Sequence, residues 1–131
     1  MKILVVDDEQ VVLNSCKRVL EAEGFEVCLV PSAEKALEAL EREGFGLLLI
    51  DVKMPEHDGL YFIQEVKKRW PAIPMIVMSG YDTAETIEEA ARVGAAVFIA
   101  KPFTPDELVG TVCQVVSKEE SHETDESPGH R

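Results

Sequence analysis

The chain has 131 residues, enough for one domain with a full hydrophobic core, and 46% of them are apolar, which excludes global disorder. A formal charge of −12 sets its surface against nucleic acid and anionic membranes, so no direct nucleic-acid or membrane partner is expected. No apolar run approaches the roughly 20 residues that span a bilayer, and a strand-like segment begins at once, so neither leader nor anchor is expected and the expected location is cytoplasmic.

Residues 2–6, Lys-Ile-Leu-Val-Val, predict a first strand that ends at Asp7-Asp8-Glu9. A helix is predicted over about 10–23, with Val12, Cys16, Val19 and Leu20 on its core face and Gly24 as its stop. Residues 25–30 predict a second strand. Ser32 is a good N-cap for a helix over about 33–43, with Ala33, Ala36, Leu37 and Leu40 inward and Gly44 at its end. Leu47-Leu-Leu-Ile50 is a short unalternating apolar run, the pattern of a strand buried on both faces, and it runs straight into Asp51. A helix is predicted over about 58–69 on Leu60, Ile63 and Val66 or Lys67.

Residues 75–78 predict a fourth strand leading to Ser79-Gly80. The helix predicted over about 82–92 has a thin apolar face, Ile87 with only alanines beside it, and is expected to be loosely held. Residues 97–100 predict a fifth strand leading to Lys101-Pro102. Thr104-Pro105-Asp106-Glu107 is a strong helix start, and the last helix is predicted to run to about 117 on Leu108, Val112, Val115 and Val116. Residues 1–117 thus make one domain. Residues 118–131 contain no large apolar residue and are expected to be a disordered acidic tail or linker remnant. Cys16, Cys28 and Cys113 are odd in number and lack metal-type spacing, so they read as small apolar residues of a reducing compartment.

Strand and helix alternate five times, which implies a doubly wound parallel sheet with helices on both faces. The carboxyl ends of parallel strands share one edge, where ligands bind in open α/β sheets. That edge would gather Asp7, Asp8, Asp51, Ser79 and Lys101. Crowded carboxylates invite a hard cation such as Mg²⁺. A carboxylate can also act as a nucleophile and carry a phosphoryl group, whose oxygens a lysine, a hydroxyl and a metal could neutralise.

The motifs Ile3-Leu-Val-Val-Asp7-Asp8-Glu9, Asp51-x-Lys53-Met-Pro-x-x-Asp-Gly59, Met78-Ser79-Gly80 and Lys101-Pro102-Phe103 together resemble those of the receiver domains of two-component response regulators, across residues 1–117. The stretch from Ile76 to Thr86 is also similar to receivers that precede nitrogen-regulation-type ATPase activators. The resemblance implies a flavodoxin-like fold of strand order 2-1-3-4-5 and a phosphoacceptor switch rather than an enzyme with turnover on other substrates. It implies that Asp51 is the phosphoacceptor. Asp8, Asp51 and the Lys53 backbone carbonyl would ligate Mg²⁺, with Asp7 holding it through water. Ser79 would move toward the phosphoryl group, Lys101 would pair with it, Phe98 would be the aromatic switch, and Lys101-Pro102 would be cis. The implied partners are a sensor histidine kinase or phosphotransfer protein and a downstream protein that reads the face made by the 82–92 helix, the fifth strand and the last helix. The state would be monomeric or weakly dimeric on phosphorylation. Many DNA-binding members carry an acidic pair before the fifth strand; here it is Ala95-Ala96, so that face is less charged.

Two other functions fit parts of the pattern. A small phosphatase of the haloacid dehalogenase type uses the same chemistry, but its nucleophile follows the first strand in an Asp-x-Asp motif, where this chain reads Asp7-Asp8-Glu9. A docking module that keeps the fold without using phosphate is the other. His57, between Glu56 and Asp58, reads as a solvated turn residue.

Overall fold

Five parallel strands, β1 (Lys2–Val6), β2 (Glu26–Val30), β3 (Leu47–Asp51), β4 (Met75–Ser79) and β5 (Val97–Ala100), form one sheet in the order β2-β1-β3-β4-β5. The computed structural model describes residues 1–51, 58–80, 88, 91–92 and 97–125. The helices that follow the strands are α1 (Gln10–Ala22), α2 (Ala33–Arg42), α3 (Asp58–Arg69) and α4 (Pro105–Asp125). The helix expected over 82–92 lies outside the described residues apart from Glu88, Ala91 and Arg92.

Alternation along each strand divides the core in two. Leu4, Val6, Leu48, Ile50, Met75 and Val77 face α2 and α3, meeting Ala36, Ala39, Leu40, Phe62, Ile63 and Val66. Ile3, Val5, Leu47, Leu49, Ile76 and Met78 face α1 and α4, meeting Leu13, Cys16, Leu20, Leu108, Val112 and Val115. The apolar runs have no polar alternation because both faces of the central strands are covered. On α1 the buried residues are Leu13, Cys16 and Leu20, with Val12 and Val19 only partly buried and packed against the cluster. Residues 13, 16 and 20 stand three and four apart, whereas 12 lies off that stripe. On α2 Ala39 is buried and Leu37 only partly so, for the same reason.

Helix ends follow local chemistry. Ser32 Oγ accepts the Lys35 N–H at 3.2 Å, as expected of an N-cap. Thr104 Oγ1 accepts the Glu107 N–H at 3.1 Å while Glu107 Oε1 accepts the Thr104 N–H at 2.8 Å, a reciprocal capping box. Gly24 sits at φ +95°, the left-handed position its place after α1 predicts. Gly44 needs no such conformation: α2 ends on an extended Glu43 instead. The last helix departs from expectation by continuing to Asp125 rather than stopping near 117. Ser117–Asp125 offers nothing to bury, but Lys118, Glu119 and Glu120 favour helix and no glycine or proline interrupts before Pro128. No described helix is long and apolar enough to cross a membrane.

Candidate functional site

The carboxyl edge of the sheet is built by register. Val6 pairs with Ile50, so Asp7 lies one step beyond, beside Asp51. Asp51 is itself the last residue of β3 and pairs with Met78 of β4, and Ser79 pairs with Ala100 of β5. Asp51 and Ser79 thus belong to the strands rather than following them.

Face parity sorts the site residues. Asp51 continues the Leu47-Leu49 parity toward α1 and α4, whereas Ser79 and Phe98 carry the Met75-Val77 parity toward α2 and α3. Phe98 is partly buried against that second cluster and pairs with Val77, two residues before Ser79 on the same face. Ser79 is fully buried.

Asp7 is held at both oxygens. Oδ1 accepts the Glu9 N–H at 2.9 Å and Oδ2 accepts from Lys101 Nζ at 3.1 Å, and its side chain is completely buried. Asp51 is almost as covered, at 2% side-chain exposure, while Asp8 is exposed. One carboxylate oxygen from each of Asp7, Asp8 and Asp51 lies within 4.8 Å of the others. The donor set is therefore three hard oxygens without nitrogen or sulfur, which suits Mg²⁺ and not a zinc site. Lys53 and His57 lie outside the described residues.

Lys101 supplies the opposing charge. Its backbone N–H donates to the Ser79 carbonyl at 2.8 Å, and the bond to Pro102 is cis, as expected. Its Nζ lies 3.1 Å from Asp7 Oδ2, 3.3 Å from Glu9 Oε1 and 3.3 Å from Asp51 Oδ2. Burial works against the ammonium more than any one neighbour helps it. The hydrogen bond to Asp7, the charges of Asp51 and Asp7 and the hydrogen bond to Glu9 together outweigh that, and its pKa is raised. Lys101 is charged at any physiological pH.

Sequence reasoning missed the contact made by Glu9. It read Glu9 only as the third acid of a strand end. A signal was available: Glu9 stands where α1 needs an N-cap, and a long glutamate is a poor cap. It makes no side-chain cap bond and reaches Lys101 instead.

The arrangement can place an acyl-forming carboxylate, an ammonium and a cation-binding acidic group on one edge, the components of phosphoryl transfer to aspartate. Residues 3–113 match the family model of the response regulator receiver domain. The chain is 41% identical over 115 residues to the hydrogenase transcriptional regulatory protein HoxA of Cupriavidus necator, covering 87% of this chain and 24% of that protein. It superposes on a CheY-like response regulator receiver domain protein from Methanospirillum hungatei with a TM-score of 0.85 at 32% identity, covering 92% of this chain and 97% of that one. It superposes on NtrX from Brucella abortus with a TM-score of 0.86 at 32% identity, covering 93% of this chain and 28% of that one. The chain spans about a quarter of the length of the curated relatives it matches, such as HoxA at 24%.

Proposed function

The chain belongs to the response regulator receiver domains, the phosphoacceptor switches of two-component systems, and on that premise we propose that Asp51 is the acceptor here, with Ser79 and Lys101 serving it. The observation that carries this is the position of Asp51 at the end of β3, with Lys101 Nζ 3.3 Å from its Oδ2. An Asp51 carboxylate oxygen bonds phosphorus as the bond from phosphorus to the donor's nitrogen or oxygen breaks, and the electron pair leaves with the donor. Lys101, already tied to the site's carboxylates, balances charge on the phosphoryl oxygens. A nucleophile after β1 is disfavoured, because both oxygens of Asp7 are engaged, by Glu9 N–H and Lys101.

Receiver domains generally bind Mg²⁺ at an acidic pocket, and the Asp7, Asp8 and Asp51 cluster fits one. Asp8 and Asp51 would hold the ion directly, with the Lys53 carbonyl, and Asp7 through water. Bound there, Mg²⁺ supplies charge neutralisation at the phosphoryl oxygens.

Ser79 and Phe98 share a face of the sheet two residues apart in register, which supports their acting as one switch: the hydroxyl follows the phosphoryl group and the ring repacks behind it. The reader would be a downstream protein or an output domain, on the face made by the 82–92 helix, β5 and α4. A sensor histidine kinase or phosphotransfer protein in the cytoplasm would be the donor. The chain would catalyse only its own phosphorylation and dephosphorylation, as a monomer or a weak phosphorylation-dependent dimer.

Intact mass after incubation with acetyl phosphate and Mg²⁺ tests the assignment. The wild type is expected to gain one phosphoryl group and Asp51→Asn none. Equal gain by Asp51→Asn overturns it, as does a partner affinity that ignores Asp51→Ala.

A further inference from the structure

Glu9 makes a contact that the acceptor chemistry does not require. Its backbone is fixed at both ends, the N–H donating to Asp7 Oδ1 and the carbonyl accepting from Leu13 N–H at 3.1 Å. Only the side chain is left to choose, and it turns from α1 to Lys101. It remains 54% exposed while Lys101 is 16% exposed and Asp51 2%, so the Glu9 carboxylate stands on the solvent side of the ammonium and Asp51 on the inner side. Both carboxylates touch the same Nζ, so they lie no further apart than those two 3.3 Å contacts allow. An ammonium has three N–H donors; Asp7 and Glu9 each accept a hydrogen bond from it, and Asp51 stands at ion-pair distance.

Two consequences follow for a phosphoryl donor. Its oxygens need a donor from Lys101 that Glu9 already engages. Its negative charge must also pass a partly exposed carboxylate that stands within Coulombic reach of the reacting oxygen. As a surface ion pair the contact adds little to stability. We propose that Glu9 is a specificity-determining residue, a charge filter at the mouth of the site that slows phosphorylation by small anionic donors and leaves the site to donors presented by a protein surface. A protein donor buries its phosphoryl group against the site and can bring cationic groups to offset Glu9; a free acyl phosphate cannot.

This rests on Asp51 as the acceptor. In the test reaction an Asp51 oxygen bonds phosphorus, the bond from phosphorus to the acetyl oxygen breaks and acetate leaves. The experiment compares wild type with Glu9→Gln, which keeps length and an acceptor oxygen but loses the charge, and follows intact mass over time. The donors are acetyl phosphate, a dianion at pH 7.5, and phosphoramidate, which carries less negative charge. Glu9→Gln is expected to react about 3- to 10-fold faster with acetyl phosphate and clearly less accelerated with phosphoramidate, the range that loss of one nearby charge gives in a high-dielectric mouth. Added salt should speed the wild type more than the variant. Unchanged rates with both donors, or equal slowing with both, overturn the filter. Absence of uptake by either protein with either donor overturns the acceptor assignment instead, and a thermal melt confirms that the variant is folded.

Discussion

Asp7 and Asp51, at the ends of neighbouring strands, share one cation: Lys101 Nζ lies 3.1 Å from Asp7 Oδ2 and 3.3 Å from Asp51 Oδ2. The sharing is rigid at its base, since the Lys101 N–H is part of the β4–β5 ladder through Ser79. A sheet that is buried on both faces therefore holds two buried carboxylates in place and brings the compensating charge from a third strand end. Stability and chemistry are coupled at this edge, because the lysine that serves the acceptor also offsets its charge in the resting protein.

Lys101→Ala is expected to destabilise the metal-free protein by about 1–3 kcal/mol. Breaking a buried pair costs about 3–5 kcal/mol, and the 16% exposure of Lys101 and the open side of the site reduce that. Mg²⁺ should narrow the gap, since it supplies the missing positive charge. Urea unfolding in EDTA and in Mg²⁺ checks this. A deficit that Mg²⁺ leaves untouched would assign the loss to packing.

Asp8→Asn should act in the opposite direction. Asp8 is the exposed member of three carboxylates within 4.8 Å, and like charges about that far apart repel by about 1 kcal/mol even at the dielectric of water. In EDTA the variant is expected to be more stable than wild type by roughly that amount. In millimolar Mg²⁺ the order should reverse, because only the wild type gains binding free energy in the folded state. Thermal melts across a Mg²⁺ series read both halves; a variant that melts below wild type in EDTA defeats the repulsion argument.

Cys16 separates from the other two thiols. It is buried in the α1–α4 cluster, and burial first, then the charge of Asp7, raises its pKa from 9.0 to about 11. Cys113 is exposed. At pH 8 iodoacetamide is expected to label Cys113 first and Cys16 only on unfolding. The sign of the linkage is set by the raised value: the contribution is full below pH 9 and is lost as pH rises from about 9 to about 11, where the unfolded thiol ionises and the folded one does not. Stability should therefore fall more steeply over that window in wild type than in Cys16→Ala, by about 2–3 kcal/mol at its end. Equal slopes would sink the claim.

Most of the site was legible in the sequence because it is written in strand ends. Four unalternating apolar runs announce buried parallel strands, and a parallel sheet sends all their carboxyl ends to one edge, so Asp7, Asp51, Ser79 and Lys101 come together without any knowledge of side-chain geometry. The helix start at Thr104 was legible from local chemistry, whereas the return bond from Glu107 to the Thr104 N–H appears only in the structure. What was not legible depends on side-chain reach and on phase. That Glu9 turns from its own helix to Lys101 is decided across 92 residues of sequence, where no local pattern operates. Val12 and Leu13 differ by one position in helical phase, and a succession of Val11, Val12 and Leu13 does not resolve which is covered more deeply. The end of α4 was misjudged because absence of a core face was equated with absence of helix, whereas Lys118 to Glu120 keep the backbone helical on propensity alone.

Two glycines should respond oppositely to alanine. Gly24 follows α1 at φ +95°, a conformation that costs an L-residue about 1–2 kcal/mol, so Gly24→Ala is expected to destabilise by about that much although nothing lies near enough to clash. Gly110 is exposed within α4, its missing Cβ also meets nothing within 4 Å, and its backbone is ordinary helix. There the cost of glycine is conformational entropy in the unfolded chain, and Gly110→Ala should stabilise by about 0.5–1 kcal/mol. Because α4 carries Leu108, Val112 and Val115 into the core, that gain should appear as a higher urea midpoint for the whole domain and not as local stiffening of one helix. Urea melts of the two variants beside wild type decide it: a Gly110→Ala midpoint at or below wild type would mean that the helix needs glycine there for a close approach, and a neutral Gly24→Ala would mean that α1 can end without the left-handed turn.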